Sequence, residues 1–145
     1  MVDGEQRGPD VPDRLFAYGT LMAGFVRHRL LGPAALEAPG RVRGSLLDLG
    51  GYPGVVLDDG GWVQGELYRV PDLAARLARL DRAEGYDPAD QAGSLYLRRR
   101  GVVHVADGPP RDAWLYVYNG PAGGGPRISS GDWRAHVTAR RTAFP

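Results

Sequence analysis

The chain has 145 residues, the length of one ordinary domain: enough for a single core and too short for two. Hydrophobic residues at 43% and charged residues at 24% sit near globular averages, which excludes wholesale disorder and fibrous repeats. The 18 basic and 17 acidic residues are interspersed for a net charge of +1, so the basic footprint of a nucleic-acid binder is missing and no nucleic acid partner is expected.

Residues 1 to 13 mix Gly, Pro, Asp and Glu with little apolar content and read as a flexible leader, with residues 14 to 145 as a single domain. Leu15, Phe16, Ala17 and Tyr18 form a short apolar run stopped by Gly19-Thr20, the pattern of a buried strand entering a loop. A short helix is expected around Phe25 to Leu31. Arg41 to Leu57 is strand-like, broken at Gly50-Gly51 and Pro53-Gly54, and Gly60-Gly61 turns the chain into the alternating segment Trp62 to Val70. Pro71-Asp72 opens the clearest helix, with Leu73, Leu77 and Leu80 on one face and Arg76, Arg79 and Arg82 on another, and Gly85 marks its end. Leu95 to Val105 and Ala113 to Tyr118 read as two further strands joined by the turn Asp107-Gly108-Pro109-Pro110. Gly120 to Pro126 reads as a plain loop, after which Ser130-Gly131-Asp132 caps a terminal helix carrying Trp133 and Val137. The sum is a small α+β domain dominated by strands, without internal repeats. No apolar run approaches the roughly 18 residues of a membrane span, and the polar start lacks the basic and apolar regions of a signal peptide, so the expectation is a cytoplasmic chain with no membrane partner.

Composition narrows the chemistry. With no cysteine there is no thiolate nucleophile, disulfide or Cys-ligated zinc, and with every basic residue an arginine there is no Schiff-base or P-loop lysine. His28, His104 and His136 fit no paired-ligand spacing, and none of Ser45, Ser94, Ser129 and Ser130 sits in a G-x-S-x-G elbow. No G-x-G-x-x-G follows the first strand, so no nucleotide cofactor is expected.

Two features remain. Tyr18-Gly19-Thr20-Leu21 ends a strand in a small-residue loop, where successive backbone N–H groups can turn toward one anion; the same pattern also serves simple chain reversal. Glu84 stands at the end of the predicted helix, against the negative pole of the macrodipole, where a cation is favoured; such a violation marks a functional site or an exposed glutamate paired with Arg82 or Arg98. Glu66 is a rival that strand alternation can direct to solvent.

Tyr18-Gly19-Thr20-Leu21, Gly50-Gly51-Tyr52-Pro53-Gly54-Val55, Val63-Gln64-Gly65-Glu66-Leu67-Tyr68, Leu80-Asp81 with Glu84-Gly85-Tyr86, and Tyr96-Leu97-Arg98 together resemble, in order and spacing, the γ-glutamylcyclotransferase-like (AIG2-like) family over about residues 14 to 120. The resemblance implies a compact mixed β-barrel flanked by a few helices, with the Tyr-Gly-Thr-Leu loop and the glutamate meeting in one cavity. It maps the catalytic acid/base onto Glu84 and the substrate-binding loop onto Tyr18, Gly19, Thr20 and Leu21. It implies a cofactor-free, metal-free enzyme acting on a small γ-glutamyl amide to release 5-oxoproline. Within the family the chain looks closer to the bacterial branch that includes the enzyme removing a protective γ-glutamyl group in butirosin assembly. A member dedicated to one biosynthetic intermediate and a non-catalytic module holding an amino-acid-like ligand are the alternatives. The chemistry suits this composition, because the substrate's α-amine is the nucleophile that attacks its own γ-carbonyl. One carboxylate suffices to take the amine's proton and return it to the leaving group. The N–H groups of Gly19 to Leu21 would hold the substrate α-carboxylate, with Gly19 in a conformation that a Cβ resists.

Overall fold

The computed structural model describes residues 13–121 and 123–143, so the expected leader, apart from Asp13, lies outside the described residues. In chain order the strands are β1 (Arg14–Ala17), β2 (Ala35–Arg43), β3 (Ser45–Asp48), β4 (Pro53–Val56), β5 (Trp62–Arg69), β6 (Tyr96–Val103) and β7 (Arg111–Tyr118). Helix α1 (Leu73–Ala83) follows β5, and α2 (Trp133–Ala143) comes last. Five strands form one mixed sheet in the order β2-β5-β1-β7-β6, while β3 and β4 pair as a separate antiparallel hairpin. The apolar run of β1 puts it in the middle: Leu15, Phe16 and Ala17 are at most 1% exposed, as a strand covered on both faces requires. It runs antiparallel to β5 and parallel to β7.

The α+β class and mixed sheet follow the expectation, but the compact mixed β-barrel that the resemblance implied is an incompletely closed sheet. The sheet curls until its outer strands meet at one point, where Arg41 in β2 and His104, just beyond β6, exchange backbone hydrogen bonds of 3.0 and 2.9 Å. Strand twist brings two edges together at one end and splays them at the other, and five strands are too few to close without a large stagger.

Other expectations shift in detail. The segment before Leu31 is a series of turns ending in a single 3-10 turn, His28–Leu31, because Phe25 and His28 donate to carbonyls three residues back. Strand β2 starts six residues before the expected Arg41, since eight of its residues find partners along β5 despite Pro39. The Gly-rich segment does not simply hang free: Asp48 donates its N–H to Pro126 and Ile128 donates to Leu46, at 2.9 and 2.8 Å, seating the chain beside β3. Asp132 caps α2 through the N–H of Ala135 at 3.1 Å, and His136 and Arg140 from that helix both reach Asp48, at 2.8 and 2.9 Å. No helix among the described residues is long and apolar enough to cross a membrane.

Candidate active site

Leu73, Leu77 and Leu80 bury one face of α1 in the hydrophobic core, each at most 8% exposed. The helix then stops in a left-handed cap: Gly85 has φ 68°, its N–H bonds to Arg82, and Tyr86 bonds back to Asp81. A glycine takes that φ without penalty, so the Glu84-Gly85-Tyr86 run fixes Glu84 at the cap position itself. There it is 8% exposed, inward rather than on the surface.

Glu84 faces a cavity of about 30 Å³, room for about two water molecules, whose walls include Tyr18, Gly19, Thr20 and Leu21. Tyr18, Gly19, Thr20, Leu21 and Glu84 thus share one cavity, and the rival Glu66 is not in its walls. The pairing of Glu84 with Arg82 or Arg98 does not occur. Its partner is Arg27, whose Nη1 lies 2.8 Å from Oε2 and whose side chain is 44% exposed. Arg98 instead grips Asp81 with two hydrogen bonds of 2.8 and 3.2 Å. Burial pushes the Glu84 carboxyl above its usual value, while the hydrogen bond and charge of Arg27 pull the other way.

Of the four tyrosines in the wall, Tyr52 is 40% exposed and the other three are committed elsewhere. The Tyr18 hydroxyl donates to the Tyr116 carbonyl at 2.6 Å and accepts from Val55, so Tyr18 lines the cavity with its ring. Tyr96 donates to the Pro53 carbonyl, and Tyr116 to Asp81 at 2.7 Å. Burial raises all three phenols far above their ordinary value: the Tyr96 and Glu84 charges add to it at Tyr18, the Glu84 charge at Tyr96, and the Asp81 bond and charge at Tyr116. Gly19, Thr20 and Leu21 donate their N–H groups to no acceptor among the described residues. The lining residues thus offer one carboxylate, one guanidinium, the hydroxyls of Thr20 and Tyr52, and three backbone N–H groups without an acceptor among the described residues.

Gly19 needs correcting on one point. Its φ is not positive; the constraint is closeness, because a Cβ there would sit 2.6 Å from Pro53 Cγ. Glu66 is not turned to solvent either. It accepts from Ala23 N–H and the Tyr68 hydroxyl at 3.0 and 2.8 Å and pairs with Arg134, away from the cavity walls. Burial, then Glu66, moves the Tyr68 phenol up to about 12. None of the three histidines lines the cavity: His28 bonds the Leu21 carbonyl, His104 packs edge-on to Trp62, and His136 pairs with Asp48.

Two residues escaped the sequence reading. Asp81, 5% exposed, takes Arg98 and Tyr116 together and so ties the end of α1 to the β6-β7 hairpin one turn before Glu84. Its signal was legible, since 73, 77 and 81 fall on one helical stripe and a charge on an apolar stripe asks for a buried partner. Asp81→Asn leaves Arg98 without its counter-charge and is expected to cost about 1–3 kcal/mol in urea unfolding. An unchanged midpoint contradicts that role. Arg27 carried no local signal, lying in a run of turns without periodicity.

The family model described as gamma-glutamyl cyclotransferase, AIG2-like, matches residues 15–135. Among curated relatives, the gamma-glutamylcyclotransferase family protein YtfP of Escherichia coli K12 is 34% identical over 131 residues, covering 83% of this chain and 95% of that one. The putative gamma-glutamylcyclotransferase YkqA of Bacillus subtilis is 30% identical over 136 residues, 90% of this chain and 44% of its own. Its crystal structure superposes with a TM-score of 0.70 over 91% of this chain and 43% of that one, at 30% identity. A mouse AIG2-like protein shares the fold at a TM-score of 0.65 and 21% identity, over 83% of this chain and 86% of that one.

Proposed function

Because the chain belongs to the gamma-glutamyl cyclotransferase, AIG2-like family, we propose that it cyclises the γ-glutamyl group of a small γ-glutamyl amide, with Glu84 as general acid/base. The substrate's α-nitrogen bonds to the γ-carbon, the bond from that carbon to the amide nitrogen breaks, and 5-oxoproline and a free amine leave. At neutral pH much of an α-amine with a pKa of about 7.7–8.0 is protonated, so a base must take a proton before it attacks. The carboxylate does so, and the carboxylic acid it becomes protonates the departing nitrogen. A carboxyl raised by burial is better matched to both steps than an ordinary glutamate, because its pKa lies nearer the working pH. The free N–H groups of Gly19, Thr20 and Leu21 would take the α-carboxylate and hold the chain in its ring-closing rotamer.

The observation that carries this reading is that Glu84 is the one carboxylate among the described residues lining the cavity, and that of the four wall tyrosines Tyr18, Tyr96 and Tyr116 have their protons engaged. Incubating the protein with a panel of γ-glutamyl amides and following 5-oxoproline by mass spectrometry tests it. Release from at least one member, in amounts equal to the free amine, is expected; no release from any member overturns the reading.

A further inference from the structure

Arg27 is the wall residue for which the chemistry above has no use, and it occupies the group that chemistry needs. Its guanidinium bonds Glu84 Oε2 at 2.8 Å, on the carboxylate that an α-ammonium would have to reach. For an ammonium to reach that carboxylate, the side chain already bonded to it has to yield. Tyr18, Tyr96 and Tyr116 are pinned through their hydroxyls, and Glu84 is anchored at the helix cap. Arg27 is a long side chain with 44% of its surface exposed and a single hydrogen bond, to the carboxylate itself. Its backbone is held: the Arg27 N–H bonds the Thr20 carbonyl at 3.0 Å, and Ala23 earlier in the same loop is bonded to Glu66 and Arg134. Rotation of the side chain, with the loop staying in place, is the motion available.

Charge decides where it goes. The γ-glutamyl head carries an ammonium and a carboxylate, and the site carries a carboxylate and a guanidinium. Entry of the ammonium alone would strand the guanidinium beside a buried site, whereas exchange of partners leaves every charge paired at each end of the process. We propose that Arg27 is a displaceable counter-ion: in the free protein it holds Glu84, and on binding it yields Glu84 to the substrate α-ammonium and turns to the substrate α-carboxylate beside the Thr20 loop. The inference rests on the reading of Glu84 as acid/base and adds a residue that selects the zwitterionic head. Around Glu84, Tyr18 after β1, Tyr52 before β4, Tyr96 in β6 and Tyr116 in β7 are phenols, and Asp81 and Arg98 are already paired with each other. Arg27 is therefore its charged partner among the described residues lining the cavity.

The test compares wild type, Arg27→Lys and Arg27→Gln as pH profiles of kcat/KM and kcat, on one γ-glutamyl amide and on its α-carboxamide counterpart. The acid limb of kcat/KM reports Glu84 in the free protein, and that of kcat reports it in the complex. Arg27→Gln is expected to move the kcat/KM limb to higher pH, because the group that pulls the carboxyl down is gone. The kcat limb is expected to stay, because in the complex the arginine has already left. Discrimination against the α-carboxamide should fall at least roughly tenfold in Arg27→Gln, the scale of one charge-assisted hydrogen bond, and be partly kept in Arg27→Lys. Equal shifts in both limbs mean that the arginine stays on Glu84, and overturn the exchange. Unshifted limbs with unchanged discrimination overturn it too, while the cyclotransferase reading stands. Absence of 5-oxoproline from wild type with every amide removes both. Carbon-13 titration of the Glu84 carboxyl in the free proteins checks the starting pair without turnover: a midpoint no higher in Arg27→Gln than in wild type overturns the proposal.

Discussion

Glu84→Gln is expected to lower kcat by roughly 10²- to 10⁴-fold with the fold intact, since the amide keeps the shape and cannot accept the α-amine proton. A folded Gln variant with turnover near wild type would reject Glu84 as the acid/base. The same substitution carries a stability signature. The folded carboxyl is raised above its unfolded value, chiefly by burial, so the folded state holds that proton more tightly than the unfolded chain does. The stability this contributes is complete below the unfolded value and is lost as pH rises through the folded one. Gln does not ionise, so the Tm of Glu84→Gln relative to wild type should climb between pH 4 and pH 8. A difference that is flat or falls over that range contradicts the buried, raised carboxyl.

The second large effect is expected at Gly19. A valine there drives its Cβ into the Pro53 ring, from a starting distance of 2.6 Å, and pushes the Thr20 and Leu21 N–H groups away from the cavity. Since a misplacement of about 1 Å can cost on the order of 10²-fold, Gly19→Val should lose roughly that much in kcat/KM, while Thr20→Ser, which leaves the main chain alone, should stay near wild type. Comparing Gly19→Val with wild type on free and masked substrates separates this from mere damage to a turn. Masking the α-carboxylate as an amide removes charge-assisted hydrogen bonds worth about 1.5–3 kcal/mol, so wild type should process the masked substrate roughly 10- to 150-fold less efficiently. If the two substrates have equal kcat/KM in wild type, Gly19 only reverses the chain and the loop binds no anion.

Much of the architecture follows from patterns that a local stretch of chain carries within itself. The Leu73, Leu77, Leu80 stripe and Gly85 define α1 and its end, because helical period and a left-handed cap involve residues a few positions apart. Leu15 to Ala17 reads as a covered strand, and the β6-β7 hairpin is marked by its turn, for the same reason. The candidate site was legible to the extent that it is local: Glu84 at a helix end and Gly19 after a strand are both anomalies visible within a few residues. What tertiary structure alone decides is who meets whom. Arg27 reaches Glu84 across 57 positions, and Tyr18 bonds Tyr116 across 98. Neither pairing leaves a trace in local composition, because a guanidinium in a series of turns has the same sequence whether it faces solvent or a buried carboxylate. The extent of barrel closure is of this kind as well: it depends on accumulated twist over five strands, and each strand by itself is indifferent to whether the last one meets the first.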